Sequence, residues 1–284
     1  MSHPAFKGRL LRWLNRGETS AWATEPMDYD PDAVERIVSL LDHFFGPNRP
    51  WEARVHGLEN VPSAPVLVVA NHSGGTVIPD AWGLGWAWYR HFGTGRPLHF
   101  LAHEWVLPFR SLGEALGQRG LLWASPANAL RALRECSHDV CVFPGGDLDA
   151  WRPWDRRFKV EFAGRSGYAR LALEAGVPIV PVANAGGHET LRVLTDGRAI
   201  AKDLSFGRVA RAHVFPIHLS LPWGLTFGPW PHLPWPARLR YRIGRPICTP
   251  QGTKVTDDAV RELDLRVRSA MQAELDELAK EAKA

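Results

Sequence analysis

The sequence predicts a single-domain α/β sandwich with a mostly parallel central sheet flanked by helices. Short apolar runs typical of buried strands alternate along the chain with amphipathic stretches typical of helices, a pattern that favours parallel strand pairing. The 284 residues are 45% hydrophobic and 23% charged, which is ordinary for a globular protein and argues against long disorder. The sequence contains no internal repeat and no low-complexity linker, so we expect one domain.

Residues 1–50 are predicted to form amphipathic helices that suit a membrane surface. Apolar residues recur at helical spacing in 1–15 among lysines and arginines, as in a helix lying on anionic lipid, although a solvated terminal helix fits the same pattern. These apolar residues are Phe6, Leu10 and Leu14. A second helix begins where Asp30 caps the N-terminus and Pro31 takes the first helical position, and it ends at Gly46.

Residues 51–250 are predicted to hold the sheet and most of its helices. The predicted strands are 51–57, 66–70, 98–102, 139–143, 177–183 and 239–243, and the predicted helices are 80–92, 106–116, 126–135 and 166–175. Residues 215–236 fit neither pattern. The segment 251–284 is predicted to pack on the same domain as a long helix that begins after Thr256. Its buried face consists of Val260, Leu263, Val267, Met271, Leu275 and Leu278.

A polar segment follows the strand at 66–70, at the carboxyl end of the sheet where open α/β folds place their ligands. It reads Asn71-His72-Ser73-Gly74-Gly75, and Asp80 follows. A histidine acts as a general base near neutral pH, and a nearby carboxylate orients its ring, although a lone histidine is often structural. We therefore predict His72 and Asp80 as catalytic residues, with Asn71, Ser73 and Gly74 binding substrate.

A second candidate segment, Phe143-Pro144-Gly145-Gly146, follows the strand at 139–143. Its glycine amides suit a phosphate or an oxyanion, and all four residues are predicted to bind substrate. A basic cluster follows, which binds phosphate or is simply solvated. It consists of Arg152, Arg156, Arg157, Lys159 and Arg165, of which Lys159 and Arg165 are predicted to bind substrate.

Taken in order, these segments resemble the phospholipid/glycerol acyltransferase family, which includes lysophosphatidate and diacylglycerol acyltransferases. The segment 71–80 is similar to its His-and-Asp motif, and 143–146 to its FPEG motif in the FPGG form of diacylglycerol acyltransferase-like branches. Residues 177–182 and 242–247 are similar to later blocks of the family, so the resemblance covers roughly 51–250. The implied fold is the acyltransferase-like α/β sandwich.

Two departures from the family pattern bear on the substrate. Seven residues separate His72 from Asp80 where the family has four, so the intervening loop must bulge for the two side chains to meet. The arginine that normally follows a strand like 120–123 is replaced by Ala124-Ser125, and its role is absent or taken by Arg119 or by the basic cluster. Both this replacement and the FPGG form favour a neutral acceptor such as a diacylglycerol or a long-chain alcohol.

The resemblance implies an enzyme that transfers a fatty acyl group directly to a lipid hydroxyl, with His72 as general base. Acyl-CoA or acyl-carrier protein would be the co-substrate, and no cofactor or metal is expected. Amides of Ser73, Gly145 or Gly146 would stabilise the oxyanion. The alternatives are a lysophosphatidate or lysophospholipid acyltransferase proper, an acyl-CoA thioesterase, and a lipid-binding protein with a decayed site, in which His72 and Asp80 would lie out of hydrogen-bond reach.

Composition limits the partners further. A net charge of +4 with scattered basic residues argues against nucleic acid, and no apolar run approaches the ~20 residues that span a bilayer. His99, His103 and Glu104 lie where a strand enters a loop, so they do not share a helical face and no metal site is predicted. Three cysteines without a CxxC pair favour a reducing, cytoplasmic location.

The 13 tryptophans suggest peripheral contact with a membrane, because indole combines a large apolar face with an N–H donor. Trp223, Trp230 and Trp235 alternate with prolines in 215–236 and are expected to dip into the interface, although simple core packing is the alternative. Another group, Trp82, Trp86 and Trp88, is expected to line an acyl pocket.

Overall fold

A seven-stranded sheet forms the centre of the fold in a computed structural model that describes residues 25–63, 65–102, 110–203, 214–249 and 254–282. The strands of this sheet are β1 (Ala53–His56), β2 (Leu67–Ala70), β3 (Leu98–Ala102), β4 (Leu121–Trp123), β5 (Asp139–Val142), β6 (Ile179–Ala185) and β10 (Leu239–Ile243). A second sheet contains β7 (Arg192–Thr195), β8 (Ile217–Ser220) and β9 (Gly224–Phe227).

Helices cover both faces of the large sheet. They are α1 (Pro31–Phe45), α2 (Pro79–Phe92), α3 (Arg110–Gly117), α4 (Pro126–Leu130, continued by a π-helical turn over Arg131–Glu135), α5 (Gly146–Ala150), α6 (Gly167–Ala175), α7 (Gly187–Thr190), α8 (Arg198–Asp203) and α9 (Asp257–Glu281). The predicted helix over 1–15, His103, Glu104 and the first residues of the predicted helix over 106–116 lie outside the described residues.

The large sheet is mostly parallel, as predicted. Its strand order is β1-β10-β6-β2-β5-β3-β4, and the five strands from β6 to β4 run parallel to one another. At one side β10 pairs antiparallel with β6, and β1 runs parallel to β10. Because β6, β2 and β5 are parallel neighbours, the residues that follow β2 and β5 meet the end of β6 at one edge of the sheet.

Two hydrophobic layers hold the sheet. On one face α1 and α2 bury Val34, Val38 and Trp88 against β2, and on the other face α6 and α9 pack over the sheet. All six apolar residues predicted for the C-terminal helix are buried. The apolar face of α1 packs on this core, and the prediction that helices of 1–50 lie on a membrane stays a prediction.

Two further predictions concern the tryptophans of α2 and the segment 215–236. Trp88 is buried, and Trp82 and Trp86 are half-buried against the same core, where the Trp86 indole donates to Asp42 of α1; their role in an acyl pocket stays a prediction. Residues 215–236 contain β8 and β9, whereas the sequence predicted no regular element. Within the described ranges, every helix is too short or too polar to cross a bilayer.

Candidate active site

The polar segment after β2 brings His72 and Asp80 into contact. His72 Nδ1 lies 2.9 Å from Asp80 Oδ2, and Asp80 is fully buried in the first turn of α2. The Ser73 amide donates to the same Oδ2 at 2.7 Å, and the N-terminus of a helix favours a carboxylate electrostatically. The predicted contact between the two side chains is therefore present, and the hydrogen bond to Asp80 orients the imidazole ring through its Nδ1.

The loop between the two residues bulges through two left-handed glycines. Gly74 and Gly75 have φ of 87° and 65°, and the Gly75 amide donates to the Ala150 carbonyl at 3.0 Å. A Cβ on Gly75 would lie 2.5 Å from Leu191 Cδ2, so a side chain there would collide with its neighbours. The glycines thus accommodate the extra residues that separate His72 from Asp80.

The surroundings raise the pKa of His72 above 6.5. Burial is the largest single influence and lowers this pKa, but the charge of Asp80 and its hydrogen bond, helped by Asp149, outweigh burial. The His72 side chain keeps 11% of its surface exposed, and its Nε2 has no hydrogen-bond partner among the described residues. One nitrogen is therefore anchored and the other is open to a substrate.

A buried ion pair clamps the backbone of His72. Asp149 Oδ2 accepts the His72 amide at 2.6 Å, and Arg152 donates to the His72 carbonyl at 3.3 Å. The two clamp residues pair with each other at 2.6 Å, and both side chains are fully buried. Burial raises the pKa of Asp149 to about 6. Asp149 and Arg152 therefore fix the position from which the imidazole projects.

Two asparagines tie the end of β2 to the end of β6. Asn71 Oδ1 accepts the Asn184 amide at 2.8 Å, and Asn71 Nδ2 donates to the Asn184 carbonyl at 3.0 Å. The Asn184 side chain in turn donates to the Asn71 carbonyl, while Ser73 Oγ donates to Asn184 Oδ1 at 3.2 Å. Both predicted substrate-binding side chains, Asn71 and Ser73, are thus engaged within the protein, and their role toward substrate stays a prediction.

The segment 143–146 lies beside the histidine. The Phe143 ring stacks on the His72 ring with centroids 4.4 Å apart. Arg165 donates to the carbonyls of Pro144 and Gly145 at 3.3 and 2.8 Å and also pairs with Asp147. Arg165 therefore holds this turn in place.

The other basic residues are mostly paired. Arg156 contacts Glu161 and Asp196, each at 2.9 Å, and Arg157 stacks on the Trp154 ring. The side chain of Lys159 is exposed, and the described residues show no contact between it and His72 or Asp80. The structure therefore brings Arg165 to the site but does not bring Lys159 there.

Sequence reasoning missed Asp149 and Asn184 as residues of the site, and it named Arg152 only as a member of the basic cluster. Asn184 carried a usable signal, since it is a polar residue near the end of an apolar strand, as Asn71 is. Asp149 and Arg152 are three residues apart after the FPGG segment, a spacing that favours a pair on one helical turn. Nothing in that spacing indicates burial.

Comparison with known proteins shows what the chain is similar to. A family model described as "Acyltransferase" matches residues 52–185, which include both candidate segments. An uncharacterized protein of Mycobacterium tuberculosis is 31% identical over 269 residues, a match that covers 93% of this chain and 71% of that protein.

A more distant relative and a solved structure extend the comparison. A Gallus gallus protein described as "DGAT1/2-independent enzyme synthesizing storage lipids" is 27% identical over 242 residues, covering 85% of this chain and 64% of that protein. The crystal structure of the 1-acyl-sn-glycerophosphate acyltransferase PlsC from Thermotoga maritima matches with a TM-score of 0.51 at 17% identity, covering 97% of this chain and 89% of that one. The structural match supports the fold.

The Asp149→Ala variant should destabilise the protein by about 3–5 kcal/mol, because it leaves the buried Arg152 guanidinium without its partner. Urea denaturation measures this loss. Asp147→Ala is the control, since it removes a carboxylate of the same helix from a partly exposed pair, worth about 0–1 kcal/mol. Equal losses in the two variants would contradict the clamp.

The Gly75→Ala variant should cost more stability than Gly164→Ala. Both glycines have positive φ, so each substitution carries backbone strain of roughly 1–2 kcal/mol. A Cβ on Gly164 meets open space, whereas one on Gly75 collides with Leu191, which adds about 1–3 kcal/mol. Thermal denaturation compares the two, and an equal cost would show that the loop is not tightly packed.

Proposed function

The chain belongs to the acyltransferase family, and from this premise we propose that it transfers a fatty acyl group from acyl-CoA to the hydroxyl of a neutral lipid. The observation that carries the proposal is the contact of His72 Nδ1 with Asp80 at 2.9 Å, which leaves Nε2 open to a substrate. A decayed site would show the two side chains out of reach of each other. The geometry therefore supports an active enzyme over a lipid-binding relic.

In the proposed reaction, His72 Nε2 takes the proton of the acceptor hydroxyl as its oxygen attacks the thioester carbonyl. The carbon–sulfur bond then breaks, and the departing thiolate of CoA receives that proton. Asp80 accepts the Nδ1–H throughout, which fixes the tautomer and stabilises the imidazolium. This sequence forms an ester and a thiol with no covalent enzyme intermediate.

One backbone amide is left to stabilise the oxyanion. The Ser73 amide donates to Asp80, and the Gly146 amide donates to the Phe143 carbonyl at 3.0 Å. Two of the three expected donors are thus engaged within the protein. We assign the role to Gly145, whose amide precedes the short helix α5 beside His72.

The pairing of basic residues supports a neutral acceptor. A phosphate-bearing acceptor needs unpaired cations near the histidine, but Arg152 is bound to Asp149, and Arg165 is bound to Asp147 and two carbonyls. Arg119 donates to the Ala115 carbonyl of its own helix. A diacylglycerol or a long-chain alcohol presents only a hydroxyl, and the similarity to a protein named for storage lipids points the same way.

A neutral lipid acceptor resides in a membrane, so we place the enzyme at a membrane surface as a peripheral protein. The three cysteines are unpaired, which suits a reducing compartment and hence the cytoplasmic face. Exposed Lys159 is the proposed contact for the phosphates of CoA, with Gly74 and Pro144 lining the approach to His72.

Acyl transfer from labelled acyl-CoA should depend on an acceptor, with diacylglycerol or a long-chain alcohol preferred over lysophosphatidate and lysophospholipids. His72→Gln should lower the rate by roughly 10²–10⁴-fold, because the general base is lost. His91→Gln, a change at an exposed histidine of α2, is the control and should keep wild-type activity.

Three results would contradict this proposal. Equal consumption of acyl-CoA with and without acceptor would indicate a thioesterase. A preference for lysophosphatidate would indicate a phosphate-bearing acceptor. Full activity of His72→Gln would remove the base from the mechanism.

A further inference from the structure

Two strands of the small sheet, β8 and β9, have their polarity reversed. In β8 and β9 the inward side chains are polar, since His218, Ser220 and Thr226 are buried. The outward side chains are apolar, and Leu225 and Phe227 are each 54% exposed. An ordinary surface strand buries its apolar residues and exposes its polar ones. In β8 and β9 the arrangement is the opposite, and the outer face of the sheet is apolar.

The strand register extends this outer face across the sheet. Ile217 lies opposite Phe227, and Leu219 lies opposite Leu225. Residues directly opposite in antiparallel strands share a face. Arg192 lies opposite Leu219 from the β7 side, so an exposed cation borders the apolar rows.

The turn that joins β8 to β9 adds the indole ring of Trp223, and the segment that follows β9 adds that of Trp230. Trp223 and Trp230 are each 61% exposed. The Trp223 indole donates to the Pro231 carbonyl at 2.7 Å, and the Leu233 amide donates to the Leu221 carbonyl at 2.9 Å. These bonds hold the tip in one conformation, so its rings are presented without a large loss of conformational freedom on binding.

The segment that follows β9 reaches the active-site loop. The His232 ring lies close enough to Gly75 that a Cβ there would be 3.0 Å from its Cε1. Thr76 Oγ1 donates to the Pro229 carbonyl at 3.4 Å. The segment 228–233, which carries Trp230 and Leu233, therefore contacts the loop that joins His72 to Asp80.

We propose that the outer face of the small sheet, Ile217, Leu219, Leu225 and Phe227 with Leu221, Trp223, Trp230 and Leu233 at its tip, docks on the surface of a lipid bilayer. This inference rests on the proposed function. If the acceptor is a lipid, docking this face on a bilayer brings the active-site loop close to the membrane that holds the acceptor. Trp235, which the sequence grouped with these rings, is only partly exposed, and its carbonyl accepts the Trp51 indole, so it is not part of the face.

The charge pattern favours a bilayer over a protein partner. Residues 214–237 contain no Asp, Glu, Lys or Arg, so the face offers no ion pairs to a partner. Protein interfaces carry roughly one hydrogen bond per 100–200 Å². The polar side chains of β8 and β9 face inward and cannot form hydrogen bonds with a protein partner. The apolar interior of a bilayer requires no such bonds. The Trp230 indole, which has no hydrogen-bond partner among the described residues, and Arg192 at the border suit lipid headgroups.

Co-sedimentation of the full chain with phosphatidylcholine vesicles tests the docking face. The fourfold variant Trp223→Gln, Leu225→Gln, Phe227→Gln and Trp230→Gln should lower vesicle partitioning by at least about 100-fold, since four large apolar side chains leave the interface. The control variant Leu40→Gln with Leu265→Gln changes exposed leucines on α1 and α9 and should bind as the wild type does.

A second variant keeps the test decisive if the fourfold variant does not fold. Trp223→Phe with Trp230→Phe keeps the apolar rings and removes only two fluorophores. Vesicles with brominated acyl chains should quench tryptophan fluorescence in the wild type, and this variant should bind but lose most of that quenching.

Three results would overturn the docking proposal. The first two are undiminished vesicle binding by the fourfold variant and unchanged quenching in the Trp→Phe variant. The third is that the wild type is a dimer in the absence of vesicles while the fourfold variant is a monomer. The last result would assign the face to a second copy of the chain. Vesicle binding is measured without an acyl donor, so a wild type that binds vesicles but transfers no acyl group contradicts the proposed function alone.

Discussion

The hydrogen bond between His72 Nδ1 and Asp80 Oδ2 joins two side chains that are eight positions apart and almost fully buried. Its geometry depends on several neighbouring elements. Gly74 and Gly75 let the loop bulge, the start of α2 carries the carboxylate, and the Tyr241 hydroxyl donates to the Asp80 carbonyl at 2.8 Å. The large sheet positions the residues around this bond, because it brings the ends of β2, β5 and β6 to one edge.

The charges around the same bond determine how readily His72 accepts a proton. Burial alone would lower the pKa of His72 and make the imidazolium costly, but Asp80 and Asp149 reverse that effect. Arg152 offsets the negative charge of Asp149, so the buried group as a whole is close to neutral once His72 has taken a proton. A site arranged in this way accepts a proton from a substrate without leaving an uncompensated charge in a dry environment.

Local and periodic signals were enough to predict six of the seven strands of the large sheet, the cap at Asp30 and the buried face of α9. The resemblance to the family motif predicted the meeting of His72 with Asp80. The small sheet escaped prediction because β8 and β9 are only four residues long and lie among prolines, which leaves too little of an alternating pattern to indicate a strand. Asp149 and Arg152 have charged side chains that usually lie in solvent, and only tertiary packing buries them here. The pairing of Asn71 with Asn184 joins positions 113 residues apart, a contact that no local pattern encodes.

The pH dependence of kcat/KM for the wild type and for Asp80→Asn tests most directly whether Asp80 tunes a catalytic His72. A neutral imidazole is required, so the wild-type rate should rise with pH through an inflection above 6.5, where Asp80 places the pKa of His72. In Asp80→Asn the raising influences of the carboxylate are lost, burial dominates, and the inflection should move to lower pH as the maximal rate falls. An inflection at the same pH in both enzymes would contradict the account.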